Sequence, residues 1–330
     1  MGDQHTVETA TGTISVDELG ATSMHEHVFT LNAELRINYP WDEEEMVASA
    51  VEQLAEFKER GISTIVDLTV YGLGRDLPRV ARISRESGMQ IVVATGVYTF
   101  RDLPTFFRLN EMSRPGFIAD FFVREVEEGV GGTGIRPAIF KCATDTYGIT
   151  EDVETVIRSV ARAHRRTGVP ISTHAHAASQ QGLAQQRILE EEGVDLSRVV
   201  IGHVGDIADL EYAEQVLARG SFIGLDRFGI SINGMHAEEA TPTDERIAIA
   251  VELCRRGYAS QMVMGHDTNV ESDSITREQR AVMPGLKDWR FTYITDEVVP
   301  AMRAQGVSQA DIDQILIENP RRIFAHGGAY

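Results

Sequence analysis

Short runs of apolar, mostly β-branched residues recur along the chain. Each is followed by a longer stretch in which apolar positions return every three to four residues. The runs at 21–25, 63–68, 90–94, 137–141, 170–174, 198–203, 221–226 and 261–266 predict eight strands. Their apolar character is nearly unbroken, as in VVIGH and FIGLD. Strands covered on both faces read this way, whereas half-solvated strands alternate. Between them, residues 43–60 set Val47, Val51 and Leu54 on one stripe and stop at Gly61. Residues 151–167 gather Val153, Val156, Ile157 and Val160 and stop at Gly168. Further helices are predicted over 117–129, 179–192, 210–219 and 242–256, with 296–305 and 308–318 in the tail.

Buried strands alternating with helices eight times, with no linker between, predict an α/β fold: a (β/α)8 TIM barrel over residues 1–330 as one domain. An open doubly wound sheet is the alternative. It carries a glycine-rich phosphate turn after an early strand, and GLGRD at 72–76 lacks the GxGxxG spacing. Charge narrows the partners. With 31 basic and 50 acidic residues the formal net charge is −19, which repels nucleic acid and anionic membrane surfaces. No apolar run is long enough to span a bilayer. Two cysteines, Cys142 and Cys254, are too few for a disulfide framework, and residues 1–12 hold no apolar signal core. A cytoplasmic protein acting on a small molecule is expected.

In such barrels chemistry gathers at the carboxyl ends of the strands. The first run ends in His25-Glu26-His27, the fourth in Lys141, the fifth in His174, the sixth in His203, the seventh in Asp226-Arg227 and the eighth in His266-Asp267. Residues two apart on a strand face the same way, so His25 and His27 can reach one ion together. Joined by His174, His203 and Asp267 they form a metal-ligand set. His176 shares the face of His174 and ranks second to it as a ligand, with a place expected at the rim or behind the ligands. Lys141 is the odd member, since an ammonium among cation ligands is repelled. That conflict disappears if the amine is carboxylated and bridges two metals. Each residue also has a plainer reading: Lys141 pairing with Asp145, Arg227 with Asp226 or Asp206, Asp267 capping a helix, Tyr98 and Trp289 as core.

The motifs MHEHVF (24–29), TIVDLTVYGLGRD (64–76), VVATGVYTF (92–100), IFKCATD (139–145), PISTHAHA (170–177), VVIGHVGD (199–206), SFIGLDRFG (221–229), MGHD (264–267) and ENPRRIF (318–324) span the chain. Together they resemble the phosphotriesterase branch of the amidohydrolase superfamily. They are most similar to its phosphotriesterase-like lactonases, which open N-acyl-homoserine lactones and hydrolyse organophosphates slowly. The resemblance implies two divalent metals, Zn first, with Co, Fe or Mn also suited. It implies His25, His27 and Asp267 on the more buried ion, His174 and His203 on the more exposed one, and carboxylated Lys141 between them. It further implies Tyr98 over the metals, Arg227 behind it, Trp289 in the substrate pocket, and a homodimer. Asp267 would move the proton of the attacking water. The sequence departs at 269–286, a polar stretch where the lactonases have an apolar channel. An apolar wall is then expected from Ile230, Ile232, Met235 and Met283. The rival functions are a dedicated phosphotriesterase, a lactonase for other aliphatic lactones, a metal-dependent isomerase and a non-catalytic metal-binding barrel.

Overall fold

The structure, a computed structural model, describes residues 5–233, 238–239, 241–325 and 328–330. Eight parallel strands lie in sequence order around one sheet: β1 (Thr22–Glu26), β2 (Thr64–Asp67), β3 (Gln90–Gly96), β4 (Ile139–Ala143), β5 (Ile171–His174), β6 (Val199–Ile201), β7 (Phe222–Leu225) and β8 (Met262–Met264). The ends of the sheet meet. Asp267 N–H donates to His25 O at 3.0 Å, and His27 N–H donates to Thr268 O at 2.8 Å. Gly265 permits the approach, since a Cβ there would stand 2.7 Å from His25 O. The sheet is thus nearly closed into a barrel, as expected. Met24, Val66, Val92, Ile139, Val200, Phe222 and Val263 pack inside it.

The helices wrapped outside are α1 (Glu43–Glu59), α2 (Leu77–Ser87), α3 (Phe117–Glu128), α4 (Glu151–Thr167), α5 (Gln181–Glu191), α6 (Leu210–Ala218), α7 (Thr243–Arg255) and α8 (Val299–Ala304). Helix α2 is absent from the sequence reading, although its signals are complete. Asp76 caps it, Pro78 sits in its first turn, and Gly88 ends it at φ 67°. A hairpin of Thr6–Thr9 and Gly12–Ser15, also unforeseen, covers the other end of the barrel, with Ala10 N–H donating to Ile91 O at 2.8 Å. Both tail helices are interrupted by wide π-type turns, Ile294–Val298 and Gln314–Glu318. Each turn comes just before a proline, Pro300 or Pro320, whose missing N–H breaks the regular ladder. Among the described residues no helix is long and apolar enough to cross a membrane.

The middle residue of the HEH motif closes the seam between β1 and β8. Glu26 is fully buried and accepts from Ser23 Oγ (2.5 Å), His266 Nδ1 (2.6 Å), His266 N–H (3.0 Å) and Thr268 N–H (3.2 Å). His266 Nε2 in turn accepts from Ile294 N–H at 3.0 Å. Removing the carboxylate orphans buried donors, so Glu26→Ala is expected to cost about 3 kcal/mol. A lowered urea midpoint with an unchanged slope is the result to look for.

A second buried histidine makes the fold acid-sensitive. His164 Nδ1 donates to Val169 O at 2.7 Å, and Nε2 accepts from Tyr330 Oη at 2.6 Å. Burial lowers its pKa to about 4. The unfolded chain therefore takes up this proton first, and stability falls as the pH drops from about 6.5 toward 4. His164→Gln should flatten the loss of stability between pH 7 and pH 5, read from denaturant midpoints.

Candidate metal centre

The carboxyl ends of β1, β4, β5, β6 and β8 converge at one mouth of the barrel. The parallel register sets Gly96 beside Lys141 and Ala143 beside His174. His27 Nε2 lies 3.1 Å from Asp267 Oδ1, and His25 Nε2 lies 3.4 Å from the same oxygen. Lys141 Nζ is 3.1 Å from His25 Nε2, and His203 Nε2 is 2.9 Å from His174 Nδ1. Asp267 Oδ2 reaches to 3.8 Å from His203 Nε2. Ligand atoms of His25, His203 and Asp267 lie within 4.8 Å of one another, close enough to hold a metal. All six residues singled out by sequence meet here. His203 and Asp267 both take left-handed backbone, at φ 62° and 53°. For non-glycine residues that costs about 1–3 kcal/mol each, a strain typical of sites whose side-chain directions matter.

Electrostatics make these groups electron donors. Burial lowers the pKa of His25 and His203 and brings His174 to about 4, so all three imidazoles are neutral at pH 7. Burial alone would raise the Asp267 carboxyl, but His25 and Arg227 hold it well below its usual range. Lys141 is fully buried, and burial pulls its ammonium down to about 8, within reach of the free amine.

A carboxylate can only accept, and that fixes the ring tautomers. His203 Nδ1 donates to Asp226 Oδ1 at 3.0 Å, and His174 Nε2 donates to Asp145 Oδ2 at 3.3 Å. The facing atoms, His203 Nε2 and His174 Nδ1, are therefore both unprotonated, and their lone pairs point at each other across 2.9 Å. Bare, that contact is repulsive; with a cation between the rings it becomes ligation. The donor set of imidazole nitrogens and one carboxylate suits a divalent transition metal.

Around this cluster lies a cavity of about 250 Å³. Tyr98 borders it, with Oη 3.4 Å from His174 Nδ1, and burial raises its pKa so that the phenol keeps its proton. Arg227 Nε donates to Asp267 Oδ2 (2.8 Å) and Nη1 to Asp206 Oδ2 (2.7 Å). Trp289 lines the wall, with Nε1 donating to His266 O at 3.0 Å. His176 sits at the rim, as expected, with Nδ1 2.7 Å from Ser179 Oγ.

Two expectations fail. Met283 does not line the cavity, whose apolar wall comes from the expected Ile230 together with Leu73, Phe100, Ile207, Ile275 and Leu286. Met235 lies outside the described residues, as does the Ile232 side chain. The charges of 269–286 are used to anchor the loop. Asp273 binds Arg36 at 2.6 Å and Asn32 N–H at 2.5 Å, while the buried Arg280 donates to Asn269 and stacks on Trp289. Anchored this way, the loop turns Ile275 and Leu286 inward.

Sequence reasoning missed the outer partners. Of the two partners the sequence offers Arg227, Asp206 takes it, while Asp226 faces His25 and His203. Asp145 serves His174, and Thr69 serves His27 (Nδ1 to Oγ1, 2.9 Å). Each sits at or just past the carboxyl end of a strand, and that position was the only available signal.

Comparison with known proteins agrees with this picture. A profile of the phosphotriesterase family matches residues 5–324. The solved structure of the phosphotriesterase from Mycobacterium tuberculosis superposes with a TM-score of 0.91 at 45% identity, covering 98% of this chain and 100% of that one. An aryldialkylphosphatase of Saccharolobus solfataricus is 35% identical over 94% of this chain and 97% of its own length. A structure described as organophosphate hydrolysis activity engineered from a weak promiscuous lactonase template superposes with a TM-score of 0.87 at 32% identity, covering 97% of this chain and 99% of that one. With a match that runs along the whole barrel and relatives this similar over nearly their full length, this chain belongs to the phosphotriesterase family, a family of hydrolases acting on small molecules.

Proposed function

We propose that the protein is a two-cation hydrolase that opens lactones, N-acyl-homoserine lactones foremost, and cleaves phosphotriesters as a side activity. The observation that carries this is the inward-facing set of lone pairs beneath a cavity with a polar floor and an apolar wall. His25, His27 and Asp267 would hold the inner cation, and His174 and His203 the outer one, with carboxylated Lys141 between them. When bound, such cations supply Lewis acidity and lower the pKa of a water, from roughly 16 toward 7 for a single zinc.

The chain's own residues do the rest. Asp267 takes the proton of the attacking water and returns it to the departing oxygen, with Arg227 holding its second oxygen in place. Tyr98 keeps its phenol proton and donates toward the ring oxygen. Trp289, Phe100 and Ile275 exclude water and receive the acyl chain.

The test is a panel of N-acyl-homoserine lactones, simple aliphatic lactones and paraoxon. The proposal expects kcat/KM to be highest on an acyl-homoserine lactone. Highest activity on paraoxon would make the protein a dedicated phosphotriesterase, and highest activity on a simple lactone would move the substrate class.

A further inference from the structure

One carboxylate stands behind both halves of the donor set. Asp226 Oδ2 accepts from His25 Nδ1 at 2.7 Å, while Oδ1 accepts from His203 N–H at 2.8 Å and His203 Nδ1 at 3.0 Å. His25 belongs to the inner set and His203 to the outer one. The other two imidazoles have private partners, Thr69 for His27 and Asp145 for His174. The seat for the shared carboxylate is built from glycine. A Cβ on Gly224 would lie 2.5 Å from Asp226 Oδ2, and one on Gly202 would lie 3.2 Å from it. The left-handed backbone of His203 turns its N–H and its ring nitrogen toward the same oxygen.

We propose that Asp226 is a positioning residue that couples the two cation sites, so that loading one prepares the other and both fill together. The proposal rests on the two-cation reading above. To ligate, the two rings that Asp226 touches, His25 and His203, must each point Nε2 inward and keep the proton on Nδ1. A cation on His25 fixes that ring and, through the hydrogen bond at its back, fixes the carboxylate. The carboxylate then holds His203 in the orientation and tautomer that the second cation needs. Less ordering is left for the second step, and the benefit is reciprocal. An asparagine at 226 has one acceptor oxygen; whichever ring it turns to, its NH2 faces the other ring's Nδ1 proton, so neither ring is held as the carboxylate holds it.

The experiment titrates the metal-free protein with Zn2+ in chelator-buffered solution and counts zero-, one- and two-zinc chains by native mass spectrometry. In the unaltered protein the one-zinc chain should stay well below the share of about one half that equal, independent sites give at half-saturation. Asp226→Asn should weaken both binding steps, each by about 10–100-fold, and let the one-zinc chain accumulate. Asp145→Asn should weaken one step only. A one-zinc chain that dominates in the unaltered protein overturns the coupling, and that arm does not depend on a variant folding. A loss confined to one step in Asp226→Asn, or no loss at all, also overturns it. Saturation at a single zinc in the unaltered protein overturns the two-cation reading itself. Thermal midpoints of the metal-free variants separate a positioning role from damage to the fold.

Discussion

Replacing Lys141 with methionine is expected to lower hydrolysis by at least about a thousandfold while leaving the barrel folded. Lys141 enters from β4 with no exposed surface, and its amine lies 3.1 Å from His25 Nε2. Burial disfavours an ammonium there against the pull of Asp267 and Asp226, and its pKa falls to about 8. A methionine of similar length and no charge removes that desolvation cost, so stability should hold or rise. The group that would bridge two cations disappears with the amine. Cation catalysis supplies several kcal/mol of transition-state stabilisation, and about 4 kcal/mol corresponds to about three decades in rate. The check pairs kcat/KM with bound metal per chain and a thermal midpoint. Full activity in Lys141→Met would remove the amine from the mechanism.

Asp267→Asn should cost about 10²–10⁴-fold in kcat/KM, the range for loss of a positioned acid–base group. Its carboxylate touches His27 and His25 through one oxygen and Arg227 through the other. An amide keeps the shape but removes the proton acceptor, and it turns an NH2 toward either the imidazoles or Arg227. The loss should fall mainly on kcat, since no substrate wall changes, and it should be steeper for alkyl lactones than for an aryl phosphotriester. An alkoxide leaving group needs a proton returned, and a nitrophenolate does not. Equal losses on both substrates would mean that Asp267 acts only as a ligand.

The barrel and the six ligand candidates were legible because strand chemistry is local. Side chains alternate along a strand, and a closed parallel barrel brings every strand's carboxyl end to one rim, so reading the last residues of eight apolar runs was enough to find His25, His27, Lys141, His174, His203 and Asp267. What orients those residues was not legible. Asp226 lies 201 positions from His25, and its choice of the imidazoles over the adjacent Arg227 is set by how β7 faces β1 across the barrel. Glu26 looks like a spacer between two histidines until closure of the barrel brings His266 to it. The cavity wall was misread for a related reason. Charges such as Asp273 and Arg280 give 269–286 a polar look, yet Asp273 ties the loop to Arg36, Arg280 ties it back on its own start at Asn269, and apolar residues among them face inward. Helix α2 was missed although Asp76, Pro78 and Gly88 mark its ends, because Arg79, Arg82 and Arg85 mask a narrow apolar stripe of Leu77, Val80 and Ile83.

On the proposed reading, these imidazoles, Asp267 and Lys141 exist to hold cations that make hydrolysis possible. The decisive experiment measures metal content and lactone hydrolysis on one sample, before chelation, after it and after Zn2+ is restored. Two ions per chain, with activity lost and regained in step with them, is the expected result. A metal-free chain that hydrolyses its substrate at the full rate would contradict it.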